Sequence, residues 1–345
     1  MNHATMKAAI RPHYGPAEML EVKEVPRAEP KAGELLIRVE ACTVNRTDCG
    51  NLTGFPFVVR FFTGFPRPRH PSTGSDFAGI VVKTGASVSR FKEGDTIWGF
   101  HDHGIGSHAQ FICLPENAPM ARIPDGFTFA EAAACGEGAH YAFNFINKLD
   151  LKEGENVLLN GTTGAIGSAG LQLLKHKGLL ITAVCDTDNV DKIRALGADR
   201  IIDYRKEDFR NDKGRYRFIF DAVGKSTFFQ CKHLLEPGGV YISSELGPYG
   251  QNLYLSLLTA FGKGKKVKFP LPVNIQRSLD HVLSLMKTKA FRPLIDRSMH
   301  LEDIQDAYRY VASGKKIGNV IIEPFAGRDS GHEQVENMKE ATANA

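Results

Sequence analysis

A glycine-rich turn at residues 161–167 constrains the fold of this chain more than any other feature of the sequence. The turn follows a short apolar run at residues 156–160 and precedes residues 166–177, where apolar side chains recur at helical spacing. A strand, a glycine turn and a helix in this order present backbone N–H groups at a helix N-terminus, where a phosphate can bind. The segment therefore predicts a phosphate-binding unit of an α/β domain.

The glycines of this turn match a dinucleotide fingerprint with one change. Gly164 and Gly167 occupy its last two glycine positions, and Thr162 stands at the first. Because strand, turn, helix, second strand and acidic residue occur in the expected order, the motif is much more specific than glycines alone. The residues predicted to hold the pyrophosphate of a nicotinamide dinucleotide are Gly161, Thr162, Thr163, Gly164, Ala165, Ile166 and Gly167.

An acidic residue follows the second predicted strand, residues 180–185. A carboxylate at Asp186 could accept hydrogen bonds from both ribose hydroxyls and would repel a 2′-phosphate, which favours NAD(H) over NADP(H). Alternatively, Asp186 caps the next helix, since both Asp186 and Asp188 precede one. Both interpretations stay open at this point.

The pattern of the chain changes near residue 150. Earlier residues read as short strands separated by glycine and proline turns, for example residues 35–39, 79–82 and 96–99, which predicts a partly closed β structure. Later residues alternate strands with helices, which predicts a doubly wound parallel sheet. The predicted later strands are residues 156–160, 180–185, 200–202, 218–222 and 240–243, and the predicted helices are residues 166–177, 190–196 and 227–235.

The composition is that of a soluble globular protein of two domains: 345 residues, 42% hydrophobic, 24% charged, net charge +4. Six scattered cysteines without Cys-x-x-Cys spacing exclude a disulfide framework and a structural zinc lobe and favour a reducing compartment. With no apolar leader or run of about 18 apolar residues, we expect a cytoplasmic protein without a membrane partner. The basic stretches at residues 60–69 and 263–268 are interpreted as solvated faces.

Several segments, in their order and spacing, resemble the medium-chain dehydrogenase/reductase superfamily in its zinc-less quinone-oxidoreductase-like branch. The resemblance extends from about residue 7 to residue 322. The segments that carry it are residues 44–48, 74–79, 91–95, 161–167, 195–199, 220–224 and 235–239.

This resemblance implies an α/β fold with a GroES-like β-rich catalytic domain and a Rossmann cofactor domain, with the active site between them. The expected limits are 1–122 for the catalytic domain, 123–290 for the Rossmann domain, 291–325 for a C-terminal return, and 326–345 for a disordered tail. Residues 316–322 would rejoin the first domain. The superfamily also implies a homodimer or homotetramer, often formed by joined sheet edges.

The positions that match the catalytic zinc ligands of relatives are Asn45, Ser75 and Glu137. Because Asn and Ser are not competent zinc ligands, no catalytic zinc is expected. The alternative is an alcohol dehydrogenase with an unorthodox zinc site assembled from Cys42, Cys49, Asp76 or His140. A non-enzymatic alternative is a cofactor fold that binds RNA or a partner through residues 263–268, although nucleic acid binding is not expected at this net charge.

The resemblance implies an NAD(P)H-dependent reductase of quinones or α,β-unsaturated carbonyl compounds. Without a Lewis acid, hydrogen bonds alone polarise the acceptor, which suits substrates whose developing charge is delocalised. Thr47 matches a proton-relay position, Asn45 would face the nicotinamide, and Glu137 is an acid candidate if it is buried. The alternatives are a hydroxyl that ties a loop for Thr47 and a turn-forming amide for Asn45. Tyr141 and His140 are interpreted as a core aromatic and a helix-surface histidine.

The resemblance also implies the cofactor contacts. Branch members often use NADPH, but Asp186, Asp188 and Asn189 occupy the loop after the second strand, which puts that preference in doubt and leaves a lean to NAD(H). The remaining contacts are Tyr204 near the adenine, Val223 and Gly224 near the ribose, Ser243, Glu245 and Leu246 near the carboxamide, and Asn319 near the pyrophosphate.

Overall fold

The structure is a computed structural model that describes residues 4–270 and 274–325, which fall into two units. The first unit comprises residues 4–133, 297–315 and 320–325, and the second comprises residues 134–270, 274–296 and 316–319. Among these residues no helix is long and apolar enough to cross a bilayer. The tail predicted to be disordered, residues 326–345, lies outside the described residues.

Strands predominate before residue 122, and strands alternate with helices from residue 156 onwards. The strands are β1 (Thr5–Ile10), β2 (Glu21–Pro26), β3 (Glu34–Val44), β4 (Asp76–Thr84), β5 (Thr96–Phe100), β6 (Phe111–Pro115), β7 (Met120–Arg122), β8 (Asn156–Asn160), β9 (Leu180–Cys185), β10 (Arg200–Asp203), β11 (Tyr216–Asp221), β12 (Leu235–Ser243), β13 (Lys266–Lys268), β14 (Ile295–His300) and β15 (Asn319–Glu323). The α-helices are α1 (Arg46–Thr53), α2 (Val59–Thr63), α3 (Phe129–Ala134), α4 (Glu137–Ile146), α5 (Ala165–His176), α6 (Val190–Ala195), α7 (Phe228–Cys231), α8 (Gln251–Leu258), α9 (Ile275–Lys287) and α10 (Ile304–Ala312).

The first unit is built on a mainly antiparallel sheet around β3. Its strand order is β14-β15-β3-β4-β5-β7, β6 also pairs with β3, and β1 and β2 form a separate ribbon. Leu35, Ile37 and Val39 alternate along β3 and are completely buried, as a strand with one face in a core requires. The predicted GroES-like β-rich domain is confirmed.

The second unit is a parallel sheet of order β10-β9-β8-β11-β12-β13. Val157, Leu158 and Leu159 are all buried in succession, because both faces of a parallel sheet are covered. The chain runs outward from β8 through β9 to β10 and then starts again on the other side with β11. The carboxyl ends of β8 and β11 therefore flank the switch point, where ligands of doubly wound folds bind. The predicted Rossmann domain is confirmed.

The boundaries between the two units follow residues 133 and 296, later in the chain than the predicted limits of 122 and 290. Ile123 N–H donates to Thr96 O at the start of β5 (3.0 Å), which ties the segment after residue 122 to the first unit. Arg292 N–H donates to Gln172 Oε1 (3.0 Å), and Gln172 Nε2 donates back to Arg292 O (2.8 Å), which ties the start of the predicted return to α5. The strand of that return, β15, pairs antiparallel with β3.

One predicted helix is much shorter than expected. The prediction for residues 227–235 is met by α7 of four residues, a 3-10 turn Lys232–Leu234, and then the first residue of β12. Leu235 leaves the helix because it pairs with Tyr216 of β11 in the sheet. Pro237 follows two residues later and disfavours helical backbone at the residue before it.

A histidine lies completely buried in the first unit. The ring nitrogens of His108 are 2.9 Å from Thr73 Oγ1 and 2.9 Å from Thr43 O. Burial lowers the pKa of His108 to about 4, because the charged imidazolium is poorly solvated there. The neutral ring is therefore part of the folded state.

Acidification is expected to destabilise the protein through His108. Its folded pKa lies below its unfolded pKa of about 6.5, so this contribution is fully present above pH 6.5 and is lost as the pH falls towards 4. The total change in unfolding free energy is about 3 kcal/mol. Denaturant titrations across this range measure it. We expect His108→Gln to flatten the dependence of the unfolding free energy on pH. The control His13→Gln, at an exposed histidine, should leave this dependence unchanged. If His108→Gln also leaves it unchanged, the prediction is contradicted.

Candidate active site

Two glycines of the turn after β8 lie too close to neighbouring atoms to carry a side chain. Gly161 has φ +83°, and a Cβ there would lie 2.4 Å from Val223 Cγ1. A Cβ on Gly167 would lie 2.0 Å from Gly161 O, closer than any side-chain atom can approach a carbonyl. Helix α5 therefore packs directly on the turn, which is the role of the last fingerprint glycine.

Thr162 explains why the turn departs from the glycine fingerprint. Its side chain is completely buried, and its Oγ1 donates to Val184 O at 2.9 Å. The hydroxyl thus ties the end of β8 to the neighbouring strand β9. This partner lies 22 residues along the chain.

The N-terminus of α5 offers donors to an anion. Its N-cap is Gly164, which has no side chain to accept from the first-turn N–H groups, and no acidic residue lies in that turn. The positive end of the helix dipole adds to the attraction over a helix of 12 residues. Ala165 and Ile166 begin this helix, so the predicted pyrophosphate-binding residues are arranged to fit the group.

Two further segments of the second unit reach the turn. Gly318 N–H donates to Thr163 O (2.6 Å), which brings Asn319 beside it, and Asn319 Nδ2 donates to Leu294 O (2.9 Å). On the other side, a Cβ on Gly138 of α4 would lie 2.9 Å from the carbonyl of Ala165. No role was predicted for Gly138 or Gly318, because nothing in the neighbouring sequence indicates a partner so far along the chain.

Asp221, for which no role was predicted, organises the loop after β11. Asp221 is completely buried, and its Oδ1 accepts from Asn160 Nδ2 (3.1 Å), Val223 N–H (3.2 Å) and Gly224 N–H (3.0 Å). The loop that contains the predicted ribose contacts is thereby fixed against the end of β8. An acid at the carboxyl end of a strand, followed by a glycine, is the signal that could have identified it.

The loop after β12 packs on the loop after β11. A Cβ on Gly224 would lie 2.3 Å from Glu245 Cγ, so the two predicted segments are in contact. Ser243 Oγ, completely buried, accepts from Glu245 N–H (3.2 Å), and Leu246 is partly exposed beside it. The predicted carboxamide-binding loop thus lies at the same edge of the sheet as the glycine turn.

Asp186, directly after β9, occupies the N-cap position of the 3-10 turn Thr187–Asn189 without capping it through its side chain. Its side chain makes no capping hydrogen bond, and instead its Oδ1 accepts from Asn189 Nδ2 at 2.7 Å. The residue is only 8% exposed, so the loop holds its carboxylate in a fixed position. Nearby, Asp188 pairs with Arg205 (2.9 Å), and Tyr204 is exposed at the end of β10. The capping alternative is wrong, whereas a role at the ribose stays a prediction.

Glu137 and His140 lie on α4, and both are buried. Glu137 is the first residue of the helix and only 4% exposed, which meets the condition set for an acid. The interpretation of His140 as a helix-surface histidine is wrong: it is completely buried, with Nδ1 2.6 Å from Ser278 Oγ and Nε2 3.0 Å from Asn144 Nδ2. The sequence of α4 could not show this because Ser278 belongs to α9.

Asn45 lies in a buried polar network of the first unit. As N-cap of α1 it accepts from Asp48 N–H at Oδ1 (2.9 Å), while Asp48 Oδ2 accepts from Asn45 N–H (3.1 Å). Its Nδ2 donates to Ser75 Oγ (2.9 Å). The Asn45 amide therefore shapes the chain at the start of α1, as the turn-forming alternative expected. Its contact with a nicotinamide remains a proposal.

Asp76 belongs to the same buried network, although no such role was predicted for it. Its Oδ1 accepts from Thr43 N–H and its Oδ2 from Thr43 Oγ1, each at 2.6 Å. Thr47, the relay candidate, is half-buried in the first turn of α1. Asn45 and Thr47 belong to the first unit, while Glu137 and the predicted cofactor residues belong to the second.

The residues that an unorthodox zinc site would use are engaged otherwise. Burial and the nearby carboxylates of Asp76 and Asp48 hold the pKa of the Cys42 thiol well above its ordinary value, which disfavours the thiolate that zinc requires. Asp76 is bound to Thr43, and His140 to Ser278 and Asn144. Within residues 4–270 and 274–325, no three His, Cys, Asp or Glu side chains come together to hold a metal ion. These donors do not fit a zinc site.

Comparison with known proteins identifies the family of the two domains. Residues 31–125 match the alcohol dehydrogenase GroES-like domain, and residues 196–322 match the zinc-binding dehydrogenase family. A quinone-oxidoreductase homolog from Spinacia oleracea is 30% identical over 323 residues, covering 90% of this chain and 95% of its own. A 2-methylene-furan-3-one reductase from Solanum lycopersicum is 28% identical, covering 93% of this chain and 79% of its own.

A solved quinone oxidoreductase from Coxiella burnetii superposes with a TM-score of 0.81 at 24% identity, covering 93% of this chain and 100% of its own. At that identity the superposition bears on the fold. The sequence relatives and the two family matches show that the chain belongs to the quinone-oxidoreductase-like branch of the medium-chain dehydrogenase/reductase superfamily.

Proposed function

We propose that this protein is an NAD(P)H-dependent oxidoreductase that reduces quinones or α,β-unsaturated carbonyl compounds without a metal ion. The observation that carries the proposal is the packing of four segments of the second unit against the turn at residues 161–167: α4, the end of β9, the loop after β11 and residues 318–319. The names of the relatives support the substrate class, since quinone oxidoreductases and enone reductases recur among them. The donor set at Asn45, Ser75 and Glu137 supports the absence of zinc from the reaction.

In this proposal the second unit binds and orients the cofactor, which supplies a hydride when it is bound. The N-terminus of α5 binds the pyrophosphate, and Asp186 accepts from the ribose hydroxyls. The loops held by Asp221 and Ser243 position the nicotinamide end. Since no metal polarises the acceptor, conjugated substrates are favoured because their negative charge spreads over several atoms in the transition state.

The first unit is proposed to supply the proton-handling residues. Thr47 is half-buried at the start of α1, and in this proposal its hydroxyl relays a proton from solvent. Asn45 is held in one orientation by Asp48 and Ser75, which suits an amide that lines a reaction site. Glu137 of the second unit is the third candidate, and its burial is its support.

Turnover with a panel of acceptors tests the function. Chelator-treated protein is first shown to bind NADH or NADPH, and its oxidation of each is then followed with quinones, alkenals, enones and simple ketones. We expect conjugated acceptors to be reduced and simple ketones to react far more slowly. Cofactor binding without turnover of any conjugated acceptor would falsify the proposal. In protein purified without chelator, stoichiometric zinc on which ketone reduction depends would replace it with alcohol dehydrogenase activity.

Three finer assignments are also proposals. NAD(H) is preferred over NADP(H), on the support of the buried carboxylate of Asp186. The protein forms a homodimer or homotetramer, for which β13, at the end of the strand order of the parallel sheet, offers an edge that a second copy could extend. Finally, we propose a cytoplasmic location, in keeping with the reduced, scattered cysteines.

A further inference from the structure

The first unit exposes a cluster of phenylalanine side chains between α1 and β4. We name it the aromatic patch. Its members are Phe55, Phe57, Phe61, Phe62 and Phe65, each between 53% and 75% exposed. Phenylalanine is normally among the most buried residues, and single exposed rings are unremarkable, but five within 11 positions mark an interaction surface.

The rings of the patch pack on one another. Phe57 meets Phe61 and Phe65 edge-on, with ring centroids 5.7 and 6.0 Å apart, and Phe61 stacks on Phe65 at 6.2 Å. These contacts join three of the five rings, while Phe62 stacks instead on the ring of His103 (6.2 Å). All five rings keep more than half of their surface in solvent. The apolar surface is therefore present in the protein without a bound partner.

The backbone that carries the rings is held to the body of the unit. Tyr14 Oη donates to Gly64 O (2.6 Å) and lies 2.7 Å from Thr63 Oγ1. Arg60 Nε donates to Gly54 O (3.2 Å), and its guanidinium lies over the ring of Tyr14. Because the segment is fixed at these points, little conformational entropy is lost when the patch binds.

Within the segment that carries the patch, the charged side chains have a single sign. Residues 49–75 contain three arginines, Arg60, Arg67 and Arg69, and no Asp or Glu. Arg67 and Arg69 are exposed directly after the last ring of the patch. Exposed aromatic rings next to arginines are typical of proteins that lie in the interface of an anionic bilayer, where rings enter the headgroup region and guanidinium groups meet phosphates.

We propose that the aromatic patch docks this protein on the surface of membranes that contain anionic lipids. The phenylalanine rings insert at the boundary between headgroups and acyl chains, and Arg67 and Arg69 contact the lipid phosphates. The expectation of no membrane partner rested on the lack of a spanning segment, and interfacial docking requires none. A two-fold contact between two copies through this patch would instead place its arginines against each other.

Vesicle binding by the full chain tests the apolar part of the proposal. The protein is sedimented with vesicles of phosphatidylcholine containing phosphatidylserine, and with pure phosphatidylcholine vesicles. We expect binding to the anionic vesicles, and a loss of at least about a hundredfold in the partition coefficient of Phe57→Ser/Phe61→Ser/Phe65→Ser. The matched control is Leu257→Ser/Leu258→Ser/Phe261→Ser, which removes an exposed apolar surface of the second unit and should bind as the wild type does.

Charge neutralisation tests the electrostatic part. Arg67→Gln/Arg69→Gln should lower partitioning on anionic vesicles by about 25-fold, roughly fivefold for each arginine, and high salt should do the same to the wild type. Lys213→Gln/Arg215→Gln removes the same charge from an exposed loop of the second unit and should have little effect. Because all these side chains are exposed, the variants should fold, which circular dichroism checks.

Four results would overturn the proposal. The first is no sedimentation of the wild type with anionic vesicles, and the second is sedimentation that the phenylalanine variant leaves unchanged. The third is an oligomer, seen in analytical ultracentrifugation, that the phenylalanine variant dissociates while vesicle binding is absent, which would assign the patch to a second copy of the chain. Retention on single-stranded RNA in place of vesicles would likewise reassign it.

Discussion

Replacing Gly167 with alanine is expected to lower the affinity for NADH and NADPH by about a hundredfold or more. The new Cβ would lie 2.0 Å from Gly161 O, and both partners are backbone, so neither can rotate away. The N-terminus of α5 must then move off the turn, and its N–H groups lose their alignment with the pyrophosphate. We also expect a loss of about 1–3 kcal/mol in the free energy of unfolding, as is usual for overpacking.

Two other glycines serve as controls for this result. At Gly164 a Cβ would meet only Gly161 O, at 3.6 Å, so Gly164→Ala should keep the stability and lower only the cofactor affinity. At Gly33 a Cβ would meet nothing within 4 Å, so Gly33→Ala should change neither quantity. Isothermal titration and denaturant unfolding measure both. Unchanged cofactor affinity in Gly167→Ala would remove the turn from the proposed site.

The parts of the fold that the sequence predicted best are those specified by local pattern. The limits of β8 and β9 agree with the prediction because each is an apolar run bounded by polar or glycine residues. The strand predicted at residues 35–39 instead extends as β3 to Val44. Its later part contains Glu40 and Thr43, and its place in the sheet depends on pairing with β15, which comes almost 300 residues later.

The parts of the candidate site that the sequence missed depend on partners far along the chain. Thr162 needs Val184, and His140 needs Ser278, so neither environment can be read from neighbouring residues. Asp221 bonds within its own loop as well as to Asn160, and there the order of strand, acid and glycine was a usable signal. Motifs therefore located the site, whereas the positions of its polar side chains required the structure.

The second large effect is expected at Asp186, which we propose sets the choice of cofactor. In Asp186→Ser the carboxylate that accepts from the ribose hydroxyls and opposes a 2′-phosphate is gone. Like charges near a protein surface repel by roughly 2 kcal/mol, which is about a thirtyfold factor in affinity. The ratio of NADPH to NADH affinity should rise by that factor or more, because Arg205, already near this loop, can then attract the added phosphate.

Asp191→Ser is the matched control for the cofactor experiment, because it removes the same charge from an exposed position on α6, where Asp191 pairs with Arg194 (3.0 Å). Its NADPH to NADH ratio should stay close to that of the wild type. If both variants shift the ratio equally, the preference reflects net charge and not the ribose contact. If neither shifts it, Asp186 only fixes Asn189 in its loop, and the lean towards NAD(H) loses its physical basis.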